Sequence, residues 1–469
     1  MNKLILRPYQ QAGRDFLVEK KRAYLTDVPG LGKTVTALSA MQKLQEGPTL
    51  ILGPKNSLYV WFYQANDWFN LNSVVYTGKP KQRGILWDAF IDDPTQLLIT
   101  NYSFIGEIIE LSNVYGIKWD TIICDEIHSG EAGLLNQKNK TFKKFRTLAR
   151  QCSKLFLLTG TPIRRNPADL FAPLHLLDPQ TFPSYWKFIN EHCIIQDGSF
   201  GMEILPQPRN PEELSSLLSN FMIRRTKRQV VPELPPKIRQ VLPIDMTPKQ
   251  SRIYKQLIKD MVYVGDDTVI ISANQATNIL RQRQLLVTPR LLGIEENGGA
   301  LDELIYQVDN SFMNNEAVVI FTPFNDNGRC LSIIEQQLKQ KLGKIQVFKI
   351  MGGMKSADIS TQWRTFQTIR TKRKALLATV QSGASWEATE ASHVYFLGCD
   401  WSAINNYQAE DRAHRMITRY PVNIWYLLYR NSVPDELIMD KLNSKTQSAN
   451  WVLNTEEVIK RFQNLSKKG

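Results

Sequence analysis

A short segment near the start of the chain carries residue types that bind the phosphates of a nucleotide. Residues 27–34 read Asp-Val-Pro-Gly-Leu-Gly-Lys-Thr. Gly30 and Gly32 allow backbone N–H groups to approach a phosphate. Lys33 adds a positive charge, and the hydroxyl of Thr34 can bind Mg²⁺. Asp27 stands where the general phosphate-loop pattern has a glycine, and a Gly-Lys-Thr triplet alone also fits an ordinary glycine-rich helix start. Companion segments favour the phosphate loop and predict ATP and Mg²⁺ as cofactors.

A second segment, near the other end of the chain, supplies positive charge of a different kind. Residues 408–415 read Gln-Ala-Glu-Asp-Arg-Ala-His-Arg. Arg412 and Arg415 suit the charge that develops on the γ-phosphate during hydrolysis. Because half of a hydrolytic site sits at each end of the chain, we expect the halves to meet around ATP in a cleft that opens and closes.

An acidic pair directly follows an apolar run in the first half of the chain. The run Ile122-Ile-Cys124 is followed by Asp125 and Glu126. In isolation this pattern also fits a solvated strand end. Beside a phosphate loop, Asp125 is predicted to hold the magnesium ion, usually through water. Hydrolysis also needs a base near the γ-phosphate, so Glu126 is predicted to orient and deprotonate the attacking water.

Short apolar runs alternate with helix-length segments along both halves of the chain. Continuous apolar runs of this length are typical of strands buried on both faces of a parallel sheet. Ligand groups follow the ends of several runs, as expected for an open α/β sheet. The runs are Ala23–Thr26, Thr49–Leu52, Leu97–Thr100, Thr121–Cys124 and Leu155–Leu158, then Ala317–Phe321, Ile345–Ile350, Ala375–Thr379, His393–Leu397 and Asn423–Tyr429.

These runs predict an α/β protein with two lobes, parallel sheets and the ATP site in the cleft between them. The N-terminal ATP-binding lobe is predicted at residues 1–228, with a helical insertion at about 165–222. The C-terminal lobe is predicted at residues 229–469, with a helical insertion at about 246–300. Prolines between Pro232 and Pro236 disfavour continuing helix and indicate a stiff connector.

Length and composition agree with this organisation. A chain of 469 residues exceeds what one hydrophobic core usually serves, and 43% hydrophobic with 22% charged residues is typical of a folded protein. A net charge of +13 favours a polyanionic partner such as nucleic acid, although charge also serves solubility. The five cysteines show no zinc-binding spacing, which predicts free thiols.

No apolar run approaches the length of a membrane span, and the chain starts without a signal-peptide pattern. We therefore expect a soluble intracellular monomer with no membrane partner. Its expected compartment is the cytoplasm of a bacterial or phage-infected cell, or the nucleus of a eukaryotic one.

Eight motifs occur in the order typical of helicase superfamily two, and together they resemble its Swi/Snf-type branch over nearly the whole chain. Asp27 falls where that branch commonly carries an acidic residue, and Leu234-Pro-Pro-Lys237 resembles its connector. The motifs are Leu6-Arg-Pro-Tyr-Gln10, Gly30–Thr34, Leu52-Gly-Pro54, Asp125–His128, Leu158–Pro162, Phe221–Lys227, Val319–Phe321 and Gln408–Arg415.

The resemblance implies two RecA-like lobes that grip ATP and track along nucleic acid, usually double-stranded DNA. It further implies that Gln10 contacts adenine and that Thr159 and Thr161 couple the nucleotide site to the DNA path. Arg412 and Arg415 would be its arginine fingers, with Gln408 positioning them or the water.

Three departures from the family pattern concern this coupling. Residues 381–387 read Gln-Ser-Gly-Ala-Ser-Trp-Glu, which keeps Gly383 of a glycine-rich DNA-coupling motif and adds Trp386. Met416-Ile-Thr418 replaces the usual Ile-Gly-Gln, and Ser129-Gly-Glu131 stands where basic residues are common.

Basic clusters along the chain offer DNA contacts. Arg224, Arg225 and Lys227 coincide with a family motif and are predicted to serve DNA contact or coupling. Most tryptophans are expected in the core, whereas Trp186 could act as a wedge at a strand junction. The clusters are Lys138–Arg150, Arg164-Arg165, Arg224–Arg228, Arg281–Arg290 and Arg370–Lys374.

These features predict an ATP-dependent DNA translocase or helicase. The motor core uses almost the entire chain, which favours remodelling or unwinding of forked or branched DNA over nucleosome remodelling. Two alternatives remain: a motor subunit of a larger restriction or remodelling assembly, and a non-catalytic DNA-binding scaffold. Intact Lys33, Asp125, Glu126, Arg412 and Arg415 argue against the scaffold.

Overall fold

The computed structural model describes residues 5–436 and 438, except 45, 56, 94, 130–131, 199–200, 265–268, 326, 328, 372, 383–385 and 416–417. The chain divides between Pro232 and Glu233 into two compact units. This division lies within the proline-rich connector. None of the helices in these ranges is long and apolar enough to span a bilayer. All five cysteines are buried and free, as their spacing predicted.

The first unit is built on a parallel sheet of seven strands with helices between them. Its strands are β1 (Arg22–Leu25), β2 (Thr49–Gly53), β3 (Ser73–Tyr76), β4 (Leu97–Asn101), β5 (Thr121–Cys124), β6 (Lys154–Leu158) and β9 (Met222–Ile223), and β7 (Cys193–Gly198) pairs with β8 (Gly201–Pro208) in a separate antiparallel hairpin. The order in the sheet is β3-β4-β2-β5-β6-β1-β9. The carboxyl ends of β1, β5 and β6 therefore lie beside one another.

Helices cover the sheet on both faces. They are α1 (Pro8–Lys20), α2 (Lys33–Leu44), α3 (Leu58–Phe69), α4 (Pro80–Asp92), α5 (Ile105–Tyr115), α6 (Lys140–Gln151), α7 (Phe171–Leu177), α8 (Tyr185–His192), α9 (Pro211–Ser219) and α10 (Lys227–Val230). Strands β2, β4, β5 and β6 are buried at every residue. Two apolar clusters, one on each side of the sheet, form the core of this unit.

The second unit repeats the plan with six parallel strands. Its sheet strands are β10 (Lys237–Ile244), β13 (Ala317–Thr322), β14 (Gln346–Ile350), β15 (Lys374–Thr379), β16 (Ala391–Leu397) and β17 (Val422–Tyr429), and β11 (Val262–Val264) pairs with β12 (Val269–Ile271) in an antiparallel hairpin. The sheet order is β10-β17-β16-β13-β15-β14. The helices are α11 (Pro248–Asp260), α12 (Gln275–Val287), α13 (Gly299–Met313), α14 (Arg329–Leu342), α15 (Ser356–Thr368) and α16 (Ala403–Ala413).

The predicted α/β class with parallel sheets in two units is confirmed, and each of the ten predicted strands is present. Three sheet strands escaped prediction. β3 and β9 are short, and β10 is a largely exposed edge strand that contains Pro243, so none of them is a continuous apolar run.

The two predicted helical insertions differ from expectation in one respect. Each contains an antiparallel hairpin, β7–β8 in the first and β11–β12 in the second, besides its helices. The strands of these hairpins mix exposed with half-buried or buried side chains, and so lack the apolar runs on which strands were predicted.

Candidate functional site

The predicted phosphate loop lies between the end of β1 and the start of α2. Gly30 and Gly32 have φ angles of 89° and 77°, a left-handed conformation that glycine adopts without strain. A Cβ atom on Gly32 would also lie 2.6 Å from Nε2 of Gln10. Lys33 is the first residue of α2, and its Nζ donates to the carbonyl of Asp27 at 3.0 Å. Thr34 is half-buried in the same first turn. The loop therefore has the strand, glycine turn and helix start that phosphate binding requires.

Helix α1 supports this loop from one side. The amide Nε2 of Gln10 and the hydroxyl of Tyr9 both donate to the carbonyl of Leu31, at 3.3 and 3.0 Å. Oε1 of Gln10 accepts a hydrogen bond from the backbone N–H of Arg7. Gln10 thus lies against the phosphate loop, and its predicted contact with adenine stays a prediction.

Asp125 sits at the carboxyl end of β5 in a buried, polar setting. Its Oδ2 accepts a hydrogen bond from Nε1 of Trp61 at 2.9 Å, and its carbonyl accepts one from the hydroxyl of Tyr102 at 2.6 Å. Burial, together with the neighbouring Glu126 carboxylate, raises the pKa of Asp125 to about 6. Sequence reasoning left Trp61 as a core residue and overlooked Tyr102, which follows the buried strand β4.

Glu126 begins a short chain of polar groups that reaches the end of β6. Its φ of 48° is left-handed, which is uncommon for a residue with a side chain. Oε2 of Glu126 lies 3.1 Å from Nδ1 of His128, and that nitrogen lies 2.6 Å from Oγ1 of Thr159. Oγ1 of Thr159 also accepts the backbone N–H of Thr161 at 3.0 Å. The predicted coupling threonines are therefore hydrogen-bonded to His128 of the acidic motif, and Glu126 of that motif lies within ion-pair distance of the same imidazole nitrogen.

Arg224 and Arg225, predicted as DNA or coupling residues, point into the first unit. Arg224 is buried and donates to the carbonyls of Thr26 and Gly160 at 2.7 and 3.3 Å. Arg225 forms a two-pronged ion pair with Asp27. These guanidinium groups are engaged inside the fold, which favours coupling over direct contact with DNA phosphates, and their predicted role stays a prediction. Lys227 starts α10 and is half-buried.

The arginines of the second half lie in the second unit, on α16 and just beyond it. Gln408 and Arg412 are four residues apart on α16, and therefore share a face. Nη1 of Arg412 donates to the carbonyl of Trp386 at 3.4 Å. The backbone N–H of Arg415 donates to Oγ1 of Thr418 at 2.8 Å. Met416 and Ile417, part of one unusual segment, lie outside the described residues.

Trp386 is a core residue. Its side chain is only 3% exposed, its ring lies 5.9 Å from that of Phe321, and its Nε1 donates to Oγ of Ser382. The guanidinium of Arg412 lies 5.8 Å from the centre of its ring. Trp386 therefore supports Arg412 from the core, and its predicted part in coupling to DNA stays a prediction. Gly383, from the same predicted motif, lies outside the described residues.

A buried carboxylate holds α16 in place, and sequence reasoning missed it. Glu410 is fully buried; it accepts two hydrogen bonds from Arg239, at 2.7 and 2.8 Å, and one from the hydroxyl of Tyr426 at 2.6 Å. Nζ of Lys237 lies 2.8 Å from it. Burial raises the pKa of Glu410, but attraction to Lys237 and Arg239 outweighs burial and lowers it. Glu410 thus holds α16, the helix that carries Arg412, against β10 and β17.

Glu410→Gln is expected to destabilise the second unit by about 3 kcal/mol, because it leaves two cations without their buried partner. Urea unfolding measures this loss. Glu335→Gln, which removes a carboxylate paired with half-exposed lysines, should cost about 0.5 kcal/mol. Equal losses in the two variants would contradict the prediction. Since folding lowers the pKa of Glu410, its contribution should also disappear as pH falls below about 4.

Comparison with models of protein families identifies the family to which this chain belongs. A model of the SNF2-related domain matches residues 9–291, and a model of the helicase conserved C-terminal domain matches residues 299–417. The first match covers more than half of the chain. The chain belongs to the SNF2-related family. The predicted Swi/Snf-type ATPase of helicase superfamily two, with two RecA-like lobes, is confirmed.

Similar proteins include several much longer ones. This SNF2-related chain is 25% identical to chromodomain-helicase-DNA-binding protein 8 of Danio rerio, with 97% of the chain aligned to 19% of that protein. It is 27% identical to the DNA annealing helicase and endonuclease ZRANB3 of Bos taurus, with 96% of the chain aligned to 40% of that protein. The chain thus spans well under two thirds of these relatives.

Among solved structures, the Sulfolobus solfataricus SWI2/SNF2 ATPase core in complex with double-stranded DNA is 22% identical. The match covers 97% of this chain and 96% of that one, with a TM-score of 0.43.

The residues at the loop suit a magnesium ion that is bound together with a nucleotide. Within the described ranges, no cluster of three or more His, Cys, Asp or Glu side chains could hold a metal ion by itself. Thr34 and Asp125 offer one hydroxyl and one carboxylate, the small oxygen set that Mg²⁺ uses beside phosphates. The carboxylate of Asp125 is buried beside Glu126, and a cation there would offset their mutual repulsion.

Proposed function

We propose that this SNF2-related ATPase uses ATP hydrolysis to move along DNA and that forked or branched DNA is its preferred substrate. The observation that supports a working motor best is the contact of His128 with both Glu126, at ion-pair distance, and Thr159, whose hydroxyl also accepts the N–H of Thr161. It joins the group proposed to act on water to the motif proposed to follow DNA. A protein that merely bound DNA would have no use for this connection.

In this proposal each side chain of the first unit has a separate task. Lys33 and the backbone N–H groups around Gly30 and Gly32 bind the phosphates. Thr34 and Asp125 hold Mg²⁺, which neutralises charge on the β- and γ-phosphates when it is bound. Glu126 aligns the attacking water and receives its proton.

The second unit contributes positive charge. Arg415 and Arg412 stabilise the negative charge that grows on the γ-phosphate oxygens, and Gln408 positions them or the water. Nε of Arg415 is buried and has no hydrogen-bond partner among the described residues, so it is a donor available to a phosphate. Arg412 is instead held against Trp386. These contacts favour Arg415 over Arg412 as the arginine that contacts the γ-phosphate directly.

DNA binding is proposed to draw on exposed cations of the first unit. The exposed face of α6 carries Lys140, Lys143, Lys144 and Arg150, whereas its apolar face packs into the core. The chain as a whole is also positively charged, with a net charge of +13. Two relatives are named for DNA binding and DNA annealing, which supports DNA as the partner. Several such phosphate contacts would make binding strongly dependent on salt.

One panel of measurements tests the function. The rate of ATP hydrolysis and strand displacement would be measured without DNA and with single-stranded, duplex, forked and four-way-junction DNA. We expect the forked and junction DNAs to raise the hydrolysis rate most, and Lys33→Ala to abolish the response. Equal weak responses to all four DNAs would contradict the branched-DNA proposal. Strong stimulation with no strand displacement would instead favour a motor subunit that needs a partner.

Trp186 offers a test of strand separation by itself. Its side chain is 57% exposed on α8, and its ring packs edge-on against Tyr185. If it acts as a wedge that stacks on a base, Trp186→Ala should lower the rate of strand displacement about tenfold, because stacking on one base contributes about 1–3 kcal/mol. The DNA-stimulated ATPase rate should stay unchanged. Trp68→Ala removes another exposed tryptophan, 48% exposed on α3, and serves as the control. Unchanged displacement in Trp186→Ala would rule out the wedge.

A further inference from the structure

Residues 222–225 form an exit segment that leads out of the first unit. This exit segment pairs directly with β1, the strand that enters the phosphate loop. β9 runs parallel to β1, with Leu25 opposite Ile223. The backbone N–H of Thr26 donates to Ile223 at 2.8 Å, and that of Val28 donates to Arg225 at 3.1 Å. This pairing therefore continues past β1 into the loop itself. A few residues later the chain passes into the connector at Pro232.

Arg225 closes this pairing with a buried ion pair. Its Nε and Nη2 lie 2.9 and 2.5 Å from the two carboxylate oxygens of Asp27, and the side chain of Asp27 is 1% exposed. Nη1 of Arg225 donates to the carbonyl of Tyr9, and the guanidinium lies 5.4 Å from the centre of the Tyr9 ring. Gly13 leaves room for it, since a Cβ atom there would lie 2.5 Å from Nη2. The guanidinium thus joins α1, the phosphate loop and the exit segment.

Asp27 connects Arg225 to Lys33, the residue proposed to bind phosphate. Its carboxylate is held by Arg225, and its carbonyl accepts the hydrogen bond from Nζ of Lys33. A shift of Asp27 would therefore move the acceptor that positions the Lys33 ammonium. Position matters here, because a displacement of about 1 Å at a reacting group can lower a rate about a hundredfold.

The neighbouring arginine makes a second connection from the same segment. Arg224 donates to the carbonyls of Thr26 and Gly160, and burial lowers its pKa to about 10. Gly160 packs so closely on the loop that a Cβ atom there would lie 2.7 Å from Cδ of Pro29. The exit segment thus contacts both the phosphate loop and the turn between Thr159 and Thr161.

We propose that Arg225 is a positioning residue for ATP hydrolysis: by holding Asp27 it sets the position of Lys33 and links the phosphate loop to the segment that leads into the connector. This inference rests on the proposed function, because it assigns a partner within the same reaction. It predicts that the ion pair governs both the affinity for ATP and the response of hydrolysis to DNA. A pair that only stabilised the fold would affect neither in the folded protein.

Arg225→Lys keeps the positive charge but loses the two-pronged contact. In this variant we expect the KM for ATP to rise about tenfold and the stimulation by DNA to fall about fivefold, as the loss of one charge-assisted hydrogen bond implies. The variant is assayed as the full chain with and without saturating duplex DNA. Arg209→Lys, at an exposed arginine of the same unit outside the basic clusters, is the matched control and should behave as the wild type. A folded Arg225→Lys with wild-type KM and stimulation would overturn the proposal.

A double-mutant cycle separates positioning from folding. Asp27→Asn, Arg225→Gln and the double variant are compared by Tm, KM for ATP and DNA stimulation. The double variant removes both charges and should recover Tm relative to the single variants, because no lone charge stays buried. We expect KM and DNA stimulation to stay impaired in it. Recovery of all three quantities would show that the pair only stabilises the fold, and would overturn the inference.

Failure of the proposed function would give a different result from failure of the positioning role. A wild-type chain without ATPase activity on any DNA would reject the motor itself. An active wild type whose Arg225 variants match Arg209→Lys would reject only the positioning role.

Discussion

Glu126→Gln should lower kcat for ATP hydrolysis by a factor of about 10²–10⁴, the contribution typical of a positioned general base. The glutamine keeps the size of the side chain but cannot accept the proton of the attacking water. Binding of ATP should persist, because Lys33 and the glycines of the loop are untouched. Single-turnover hydrolysis and equilibrium binding of a labelled nucleotide measure the two effects separately.

Glu110→Gln is the matched control for this experiment. Glu110 is an exposed carboxylate on α5 of the same unit, and its replacement should leave kcat unchanged. A Glu126→Gln protein that hydrolyses ATP at the wild-type rate would remove Glu126 from the mechanism. If the wild type itself had no activity to lose, the scaffold alternative would gain support instead.

The second large effect concerns the arginines of the second unit. Arg415→Ala should reduce kcat about 10³-fold, because an arginine finger stabilises charge that exists only in the transition state. The KM for ATP should change much less, since ground-state binding depends on the phosphate loop. Steady-state kinetics with saturating DNA give both quantities.

Arg419→Ala controls for the loss of a nearby positive charge. Arg419 is exposed four residues beyond Arg415 and should be replaceable without effect. Arg412→Ala is a less clean test, because Arg412 is buried against Trp386 and its removal would also disturb the core. A rise in KM with unchanged kcat in Arg415→Ala would indicate ground-state binding and contradict the finger role.

Most of the fold was accessible from local patterns. β2, β5 and β6 are buried at every residue, and so each appears in the sequence as an uninterrupted apolar run. β10 is different because most of its residues are exposed and it lies at the edge of the sheet, where its neighbouring strand is β17. An edge strand of mixed polarity gives no such signal. The two antiparallel hairpins were missed for the same reason.

The chemistry of the loops was predicted in the same local way. Gly30, Gly32 and Lys33 are recognisable because phosphate binding needs these residue types at fixed spacing beside a strand and a helix. The acids Asp125 and Glu126 follow a buried strand for a comparable reason. Each of these signals spans only a few neighbouring residues, so the sequence alone carries it.

The partners of charged residues were not accessible in that way. Arg225 and Asp27 are 198 positions apart and form one buried ion pair. In the sequence, Arg224 and Arg225 therefore resemble part of a basic cluster that binds DNA, although both side chains make their contacts inside the first unit. Glu410 likewise reads as one acid within a motif, and its role depends on Arg239, 171 positions earlier.

By itself, then, the sequence determined the family, the two α/β units and the residue types proposed to bind the phosphates of ATP. Such features depend on short-range patterns: apolar periodicity, glycine turns and the spacing of ligand groups along a few residues. Only the tertiary structure decided that Trp386 belongs to the core and that Arg225 holds the phosphate loop. The reason is physical: burial and charge pairing depend on which distant segments pack together, and no local pattern in the chain records that.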